Sequence, residues 1–388
     1  MKLLNNEMHI FIIWEHAQNI KRKIISDIEK NFTIIDIYNI LWDQDNYSDN
    51  MTRFYGQNLV NGSGKEIECG KGRFSLIIVL DNRPCYMERL TSKGAKIVNT
   101  RMYDAKSRYR DWTGGGHKIH ATNDPAETMH DLYLLLGVSY DNYFELFNSG
   151  KIAFKSEKYI NKNLIGCAQW PSLTELFNAL NHANIEYVVL RNFDGMPENY
   201  YSESHGDIDL LVNCDPKEVA FVINASPVFK QKYRVHYKVN IDNESIRFDI
   251  RHVGDNYYDK HWEKTILKNR IFKGSFFIPC TEDLKYSLLY HALIHKKNIA
   301  NDYNLKLSKM GFTLDNYKDD LQKFMEIKGY EIVEPKDLSV YFGNKIISNT
   351  VTLKRNVINI RHYFATYLRS YIDLTFILRV RNALRKII

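Results

Sequence analysis

Several things the 388-residue sequence lacks narrow its class. Its five cysteines (Cys69, Cys85, Cys167, Cys214 and Cys280) are scattered, odd in number and never spaced Cys-x-x-Cys. That pattern speaks against a disulfide framework and a zinc ribbon, and a reducing cytoplasm is the expected setting. No run reaches the roughly 18 apolar residues that a membrane-spanning helix needs. The apolar stretch Met8 to Trp14 is too short for a secretory signal and reads as a strand. Acidic charge is in deficit: 46 Asp and Glu stand against 53 Lys and Arg, for a net charge of +7. Such an excess favours anionic partners, namely nucleotides, phosphorylated glycans or a membrane surface, and leaves nucleic acid open as a partner. It is too evenly spread to demand nucleic acid.

What is present centres on Asp207-Ile208-Asp209-Leu210-Leu211-Val212. Side chains alternate along a strand, so Asp207 and Asp209 share one face while Ile208 and Leu210 point into a core. Two acids on one face repel unless something neutralises them, and a divalent metal does so. A third acid lies in Ile246-Arg247-Phe248-Asp249-Ile250-Arg251, where alternation puts Arg247, Asp249 and Arg251 on one face. Side by side, the two strands would gather three carboxylates beside two guanidinium groups. That combination suits phosphoryl chemistry, with metals on the phosphate oxygens and arginine taking the remaining charge.

Over roughly residues 170–300 these motifs resemble the nucleotidyltransferase superfamily with the DNA polymerase β-like fold, closest to its small bacterial branch. The resemblance implies that Asp207, Asp209 and Asp249 bind Mg2+ or Mn2+. It further implies that Asp249 activates the attacking hydroxyl or completes the second metal's shell, while Arg191, Arg247 and Arg251 bind phosphate. One departure stands out: Arg191-Asn192 occupies the place of the family's Gly-Ser or Gly-Gly turn. The implied activity is metal-dependent nucleotidyl- or phospho-group transfer from a nucleotide or nucleotide-activated donor. Because the superfamily includes enzymes that decorate surface glycans, a glycan or its lipid-linked precursor is the expected acceptor. The rivals are a toxin- or defence-type enzyme acting on tRNA or protein, and a protein that binds nucleotides without turnover.

The remaining chain suggests an N-terminal α/β domain (1–165) that opens β-α-β, a nucleotidyltransferase-like domain with a mixed sheet (166–310), and a helical, basic C-terminal region (311–388). Residues 56–72 read as a long loop, and 138–168 as a bridge between the domains. In the first domain, Gly114-Gly115-Gly116-His117-Lys118 could cradle phosphate on its amides, with His117, Lys118 and His120 as side-chain donors. The bland alternative is a glycine turn before an ordinary helix, capped by Asp124 with Pro125 at its first position and Glu127 closing a capping box. A metal site from His117, His120 and His130 is a further alternative. His291 and His295 are four apart on a helix, hence on one face. They either pack beneath the sheet or, with Lys296 and Lys297, reach donor phosphates. Ala292 stands where a zinc protease needs glutamate, so that mechanism is absent. The tail 354–388 holds eight Lys or Arg and one acid among aromatics and aliphatics. It reads equally as an interfacial helix on anionic lipid, placing a cytoplasmic protein at the inner membrane face, and as a docked helical bundle.

Overall fold

The computed structural model describes residues 6–91, 94–150, 157–200, 207–228, 236–337 and 339–343. The basic tail 354–388, and any membrane contact it makes, lies outside the described residues. The first lobe runs β1 (Glu7–Ile13), α1 (Lys21–Asn31), β2 (Thr33–Leu41), α2 (Tyr47–Tyr55), α3 (Gly64–Cys69) and β3 (Phe74–Asp81). It continues through β4 (Tyr86–Thr91), β5 (Gly94–Asn99), α4 (Thr100–Trp112), β6 (Ile119–Ala121), α5 (Pro125–Leu136), α6 (Tyr140–Asn148) and β7 (Glu157–Asn161). The β-α-β opening is present, but β3 inserts antiparallel between β1 and β2, giving the order β6-β1-β3-β2-β7. Every residue of β3 is buried. Its Leu76, Ile78 and Leu80 meet α2 and α5, and its Ile77 and Val79 meet α1 and α4. A strand covered on both faces needs such an unbroken apolar run.

Two segments differ from the sequence expectation. The loop expected at 56–72 contains α3, and the bridge expected at 138–168 contains α6 and β7, which pairs parallel with β2 at the sheet edge. Only alternate residues of β7 are partly buried, Lys158 and Ile160. Its pairing rests on backbone hydrogen bonds more than on apolar pattern, so periodicity alone does not announce it.

The second lobe begins with α7 (Leu173–His182), capped by the Ser172 side chain, and β8 (Tyr187–Val189). It then forms β9 (Asp207–Val212), α8 (Pro216–Val222), β10 (Ser226–Pro227), β11 (His236–Ile241) and β12 (Glu244–His252). After these come α9 (Lys260–Lys268), β13 (Ile271–Lys273), β14 (Phe276–Ile278), α10 (Thr281–Ile294), α11 (Asn301–Lys309) and α12 (Tyr317–Lys328). The main sheet is mixed, in the order β10-β11-β12-β9-β8, with β9 and β12 parallel and the other pairs antiparallel. Ile208, Leu210, Val212, Ile246, Phe248 and Ile250 face the core under α7 and α8. Leu211 lies on the opposite face with Val188 and Leu190, in a core that runs through α9 and α10. That core continues through Tyr303, Leu307, Leu321 and Phe324 to Val340, so position 310 falls within it. The lobes meet where buried Arg53 of α2 donates to the Phe221 and Val222 carbonyls (3.1 and 3.0 Å) at the end of α8. A cation there satisfies terminal carbonyls and the helix dipole together.

The second core also encloses an acid. Glu263 of α9 is fully buried, and its carboxylate accepts the Gly254 and Tyr258 amides at 2.6 and 3.1 Å. Burial, then the charge of Asp255, pushes its carboxyl up to about 8, from an ordinary value of 4.5. Below 4.5 the folded and unfolded states are both protonated; between 4.5 and about 8 only the folded state keeps the proton. Stability therefore falls as pH rises through that window, by on the order of a few kcal/mol. Glu263→Gln retains an acceptor without the charge and is expected to flatten the decline. In thermal melts at pH 5 and pH 8.5 the variant should lose fewer degrees between the two than the parent protein. Equal losses would show that another group titrates.

Candidate active site

Strand register assembles the acids. Because β9 and β12 run parallel, Asp207 lies beside Arg247 and Asp209 beside Asp249, on one face of the sheet. On the other side of β12, β11 places His236 opposite Asp249. Asp207, His236 and Asp249 each offer a ligand atom, all within 4.8 Å of one another, and His236 Nδ1 rests on Asp249 Oδ1. His236 was not among the residues expected from sequence. Its signal is the turn: Asp242 and Asn243 both take positive φ (45° and 66°), as a two-residue hairpin requires. Counting equally outward from that turn pairs His236 with Asp249.

Asp209 faces a different partner. Arg191 Nη2 donates to Asp209 Oδ1 (2.6 Å) and to the Tyr257 hydroxyl (3.0 Å), which shares a 2.8 Å hydrogen bond with His291 Nδ1. The turn after Arg191 is made by Asn192 at φ 60°, a conformation that asparagine tolerates better than most residues and that glycine often supplies. Lys306 of α11 donates to the Asn192 side chain at 2.9 Å. Arg191 and Asp209 are only 9% and 7% exposed, so each depends on the other's charge.

Electrostatics separate the three acids. Burial, with the charge of Asp249 next, raises the Asp207 carboxyl above the ordinary range. Burial also raises Asp209, joined by Asp249 and Asp207 against the pull of Arg191 and Arg251. Burial works the same way on Asp249, but His236, Arg251 and Arg191 outweigh it and hold this carboxyl below the ordinary range. Negative charge is thus under-compensated at Asp207 and Asp209, as a site with room for a cation would be.

Three expectations need correction. Arg251, expected on phosphate, is 3% exposed; its Nη1 donates to Asp337 Oδ2 (3.0 Å) and lies 3.9 Å from Asp255, its Nη2 lies 3.9 Å from Asp249, and the guanidinium sits 4.6 Å from the Tyr257 ring centre. Its charge is already shared among three carboxylates, so it braces the site. His291 and His295 are buried against Tyr257 rather than open to a phosphate. Burial, then Arg191, His295 and Lys296, pushes His291 far down, so it stays neutral. Arg247 is exposed at the rim, where an arginine can reach a phosphate.

The third correction concerns the glycine loop. Gly114, Gly115 and Gly116 all take positive φ (80°, 86° and 80°). The Gly114 and Gly115 amides donate back to the Asp111 and Arg110 carbonyls, closing α4, and the His117 amide donates to Glu68 of α3 at 2.7 Å. Lys118 Nζ donates to the Thr113 carbonyl at 2.7 Å. Those amides serve the fold, and a protein carboxylate already fills the anion position expected for phosphate. His120 and His130 sit on opposite oxygens of Asp131 (2.8 and 2.9 Å), and the group able to hold a metal there is His120, Glu127 and Asp131, without His117. The helix start is as expected, with Asp124 Oδ1 accepting the Glu127 amide and Pro125 at the first position, but Glu127 Oε2 accepts the Asn123 amide at 2.6 Å, one residue before the N-cap amide that a capping box uses.

A Cβ at Gly115 would meet nothing within 4 Å, whereas one at Gly116 would lie 2.5 Å from Glu68 Oε2. Gly115→Ala is expected to cost only left-handed strain, about 1–2 kcal/mol. Gly116→Ala should cost more, because it also displaces Glu68 from the His117 amide. Urea unfolding of the two variants checks the order, and a larger loss at Gly115 would contradict it.

No protein-family model matches the chain, and no curated protein gives a significant match to it. Among the described residues, no helix is long and apolar enough to cross a membrane.

Proposed function

We propose that the chain is a metal-dependent nucleotidyl- or phospho-group transferase of the nucleotidyltransferase superfamily, with its active site on the β9–β12 face. The observation that carries this reading is the in-register convergence of Asp207, Asp209 and Asp249 beside Arg191, with two of the acids raised by burial and mutual repulsion. The donor set fits a divalent cation, since carboxylates and an imidazole point at one volume. Mg2+ or Mn2+ held by Asp207 and Asp249 would neutralise the donor's phosphates. Arg191 Nη1 has no partner among the described residues and would be the donor to a phosphate oxygen entering beside Asp209. Arg247 adds charge at the rim. Asp249, the acid whose charge His236 and Arg251 best compensate, would complete the metal's shell.

The acceptor we favour is a cell-surface glycan or its lipid-linked precursor, approached at the membrane through the basic tail; this part rests on fold-level analogy. Incubating the full chain with labelled nucleotide donors and Mg2+ or Mn2+, beside total RNA or a glycolipid extract, tests it. Label in glycolipid but not in RNA supports the reading, and label in RNA shifts the acceptor to tRNA. A second reading, nucleotide binding without turnover, is favoured by one observation: Arg191 occupies Asp209 Oδ1, an oxygen that a metal would otherwise use. Nucleotide binding that ignores divalent ions and transfers no label would establish it.

A further inference from the structure

We propose that His236 is a metal ligand and that it turns this site toward first-row divalent ions, Mn2+ to Zn2+, in preference to Mg2+. The inference deepens the functional reading above and rests on its placement of a metal at Asp207 and Asp249. Its starting point is geometric: of the three strand acids, the two that share a ligand volume are Asp207 and Asp249, and the third donor of that volume is the His236 imidazole. Asp209 gives its Oδ1 to Arg191. The donor set is therefore two oxygens and one nitrogen.

Position makes the nitrogen a fixed donor. His236 is held opposite Asp249 by six consecutive strand pairs leading back to the Asp242-Asn243 turn. Its Nδ1 is directed at Asp249 rather than at solvent, and its side chain is only 18% exposed. An imidazole so placed changes which ion the site prefers. Mg2+ demands near-octahedral oxygen coordination and keeps several waters, so a neutral nitrogen gives it little. First-row ions bind imidazole more strongly, with affinity rising from Mn2+ towards Cu2+ and remaining high at Zn2+. The other cluster with metal-ligating spacing, His120, Glu127 and Asp131, lies in the first lobe, where Glu127 Oε2 already accepts two hydrogen bonds from Asn123.

Calorimetric titration of the full chain with Mn2+, Zn2+ and Mg2+ separately, joined to pulsed electron paramagnetic resonance of the Mn2+ form, tests the proposal. The parent protein should bind Mn2+ and Zn2+ at least about tenfold more tightly than Mg2+. His236→Gln should weaken Mn2+ and Zn2+ by roughly 10–100-fold or more, since losing even a residue that supports a ligand from behind costs that much, and Mg2+ by less than about threefold. The bound Mn2+ should show nitrogen coupling in the parent that vanishes in the variant. Asp207→Asn should remove binding of all three ions. If the parent binds Mn2+ without nitrogen coupling, or His236→Gln weakens Mg2+ as much as Mn2+, His236 is no ligand, though the metal-dependent reading survives. If no ion binds the parent, both fall. The resonance measurement on the parent decides the matter even if the variant does not fold.

Discussion

Arg191→Met is expected to destabilise the protein by about 3–5 kcal/mol near neutral pH, because it strands the buried Asp209 carboxylate. Arg191 supplies that carboxylate's 2.6 Å partner and also donates to Tyr257, which in turn bonds His291. Removing the guanidinium leaves Asp209 beside two more acids, with Arg251 and Lys296 among the cations that still act on it. The cost has a definite pH dependence. Without Arg191 the Asp209 carboxyl, already raised, rises further above its unfolded value. Its contribution is then fully present below the unfolded value and is lost as pH climbs through the folded one, so the variant should recover as pH falls toward 5. The double change Arg191→Met with Asp209→Leu removes both charges and should regain most of the loss, since buried pairs replaced by apolar groups are often neutral. Denaturant melts of the four proteins at pH 5 and pH 7.5 give the cycle. A single-variant loss under about 1 kcal/mol would mean that the pair is hydrated and does not organise the site.

The second large effect separates activity from stability. Asp207→Asn should lower transfer by about 10³-fold or more, the scale of losing one preorganised group that meets reacting charge. The same change should raise the melting temperature in the absence of metal. Asp207 has a raised carboxyl because burial and Asp249 oppose its charge, so folding becomes harder as pH rises past the unfolded value. An amide has no such dependence. The gain should therefore appear at neutral pH and disappear near pH 3.5. A variant that keeps near-parent transfer, or that melts lower at pH 7 without metal, would contradict the assignment.

Much of this arrangement is legible in sequence for a simple reason: strand alternation is local. The faces of β9 and β12 and the Asp124-Pro125 helix start each depend on residues within a few positions of one another, and the structure places both as read. The errors sit where distant segments supply the partner. Arg251 looked available until Asp337, 86 residues on, arrived to hold it. The glycine loop looked like a phosphate cradle because Glu68, which fills it, lies in a stretch that reads as loop but forms α3. His291 and His295 share a face as expected, but that face is covered by Tyr257 and Tyr303. His236 is legible only by counting strand register outward from the Asp242-Asn243 turn, because its position opposite Asp249 is set by a neighbouring strand and not by its own sequence neighbours.

The most direct measurement is a crystal of the full chain soaked with Mn2+ and a nucleoside triphosphate, read by anomalous diffraction. The result expected is a Mn2+ peak between Asp207 and Asp249 on the β9–β12 face, with the triphosphate against Arg191 and Arg247. A peak confined to the His120, Glu127 and Asp131 group of the first lobe, or a nucleotide bound without any Mn2+ at the strand acids, would contradict a metal-dependent transferase site there.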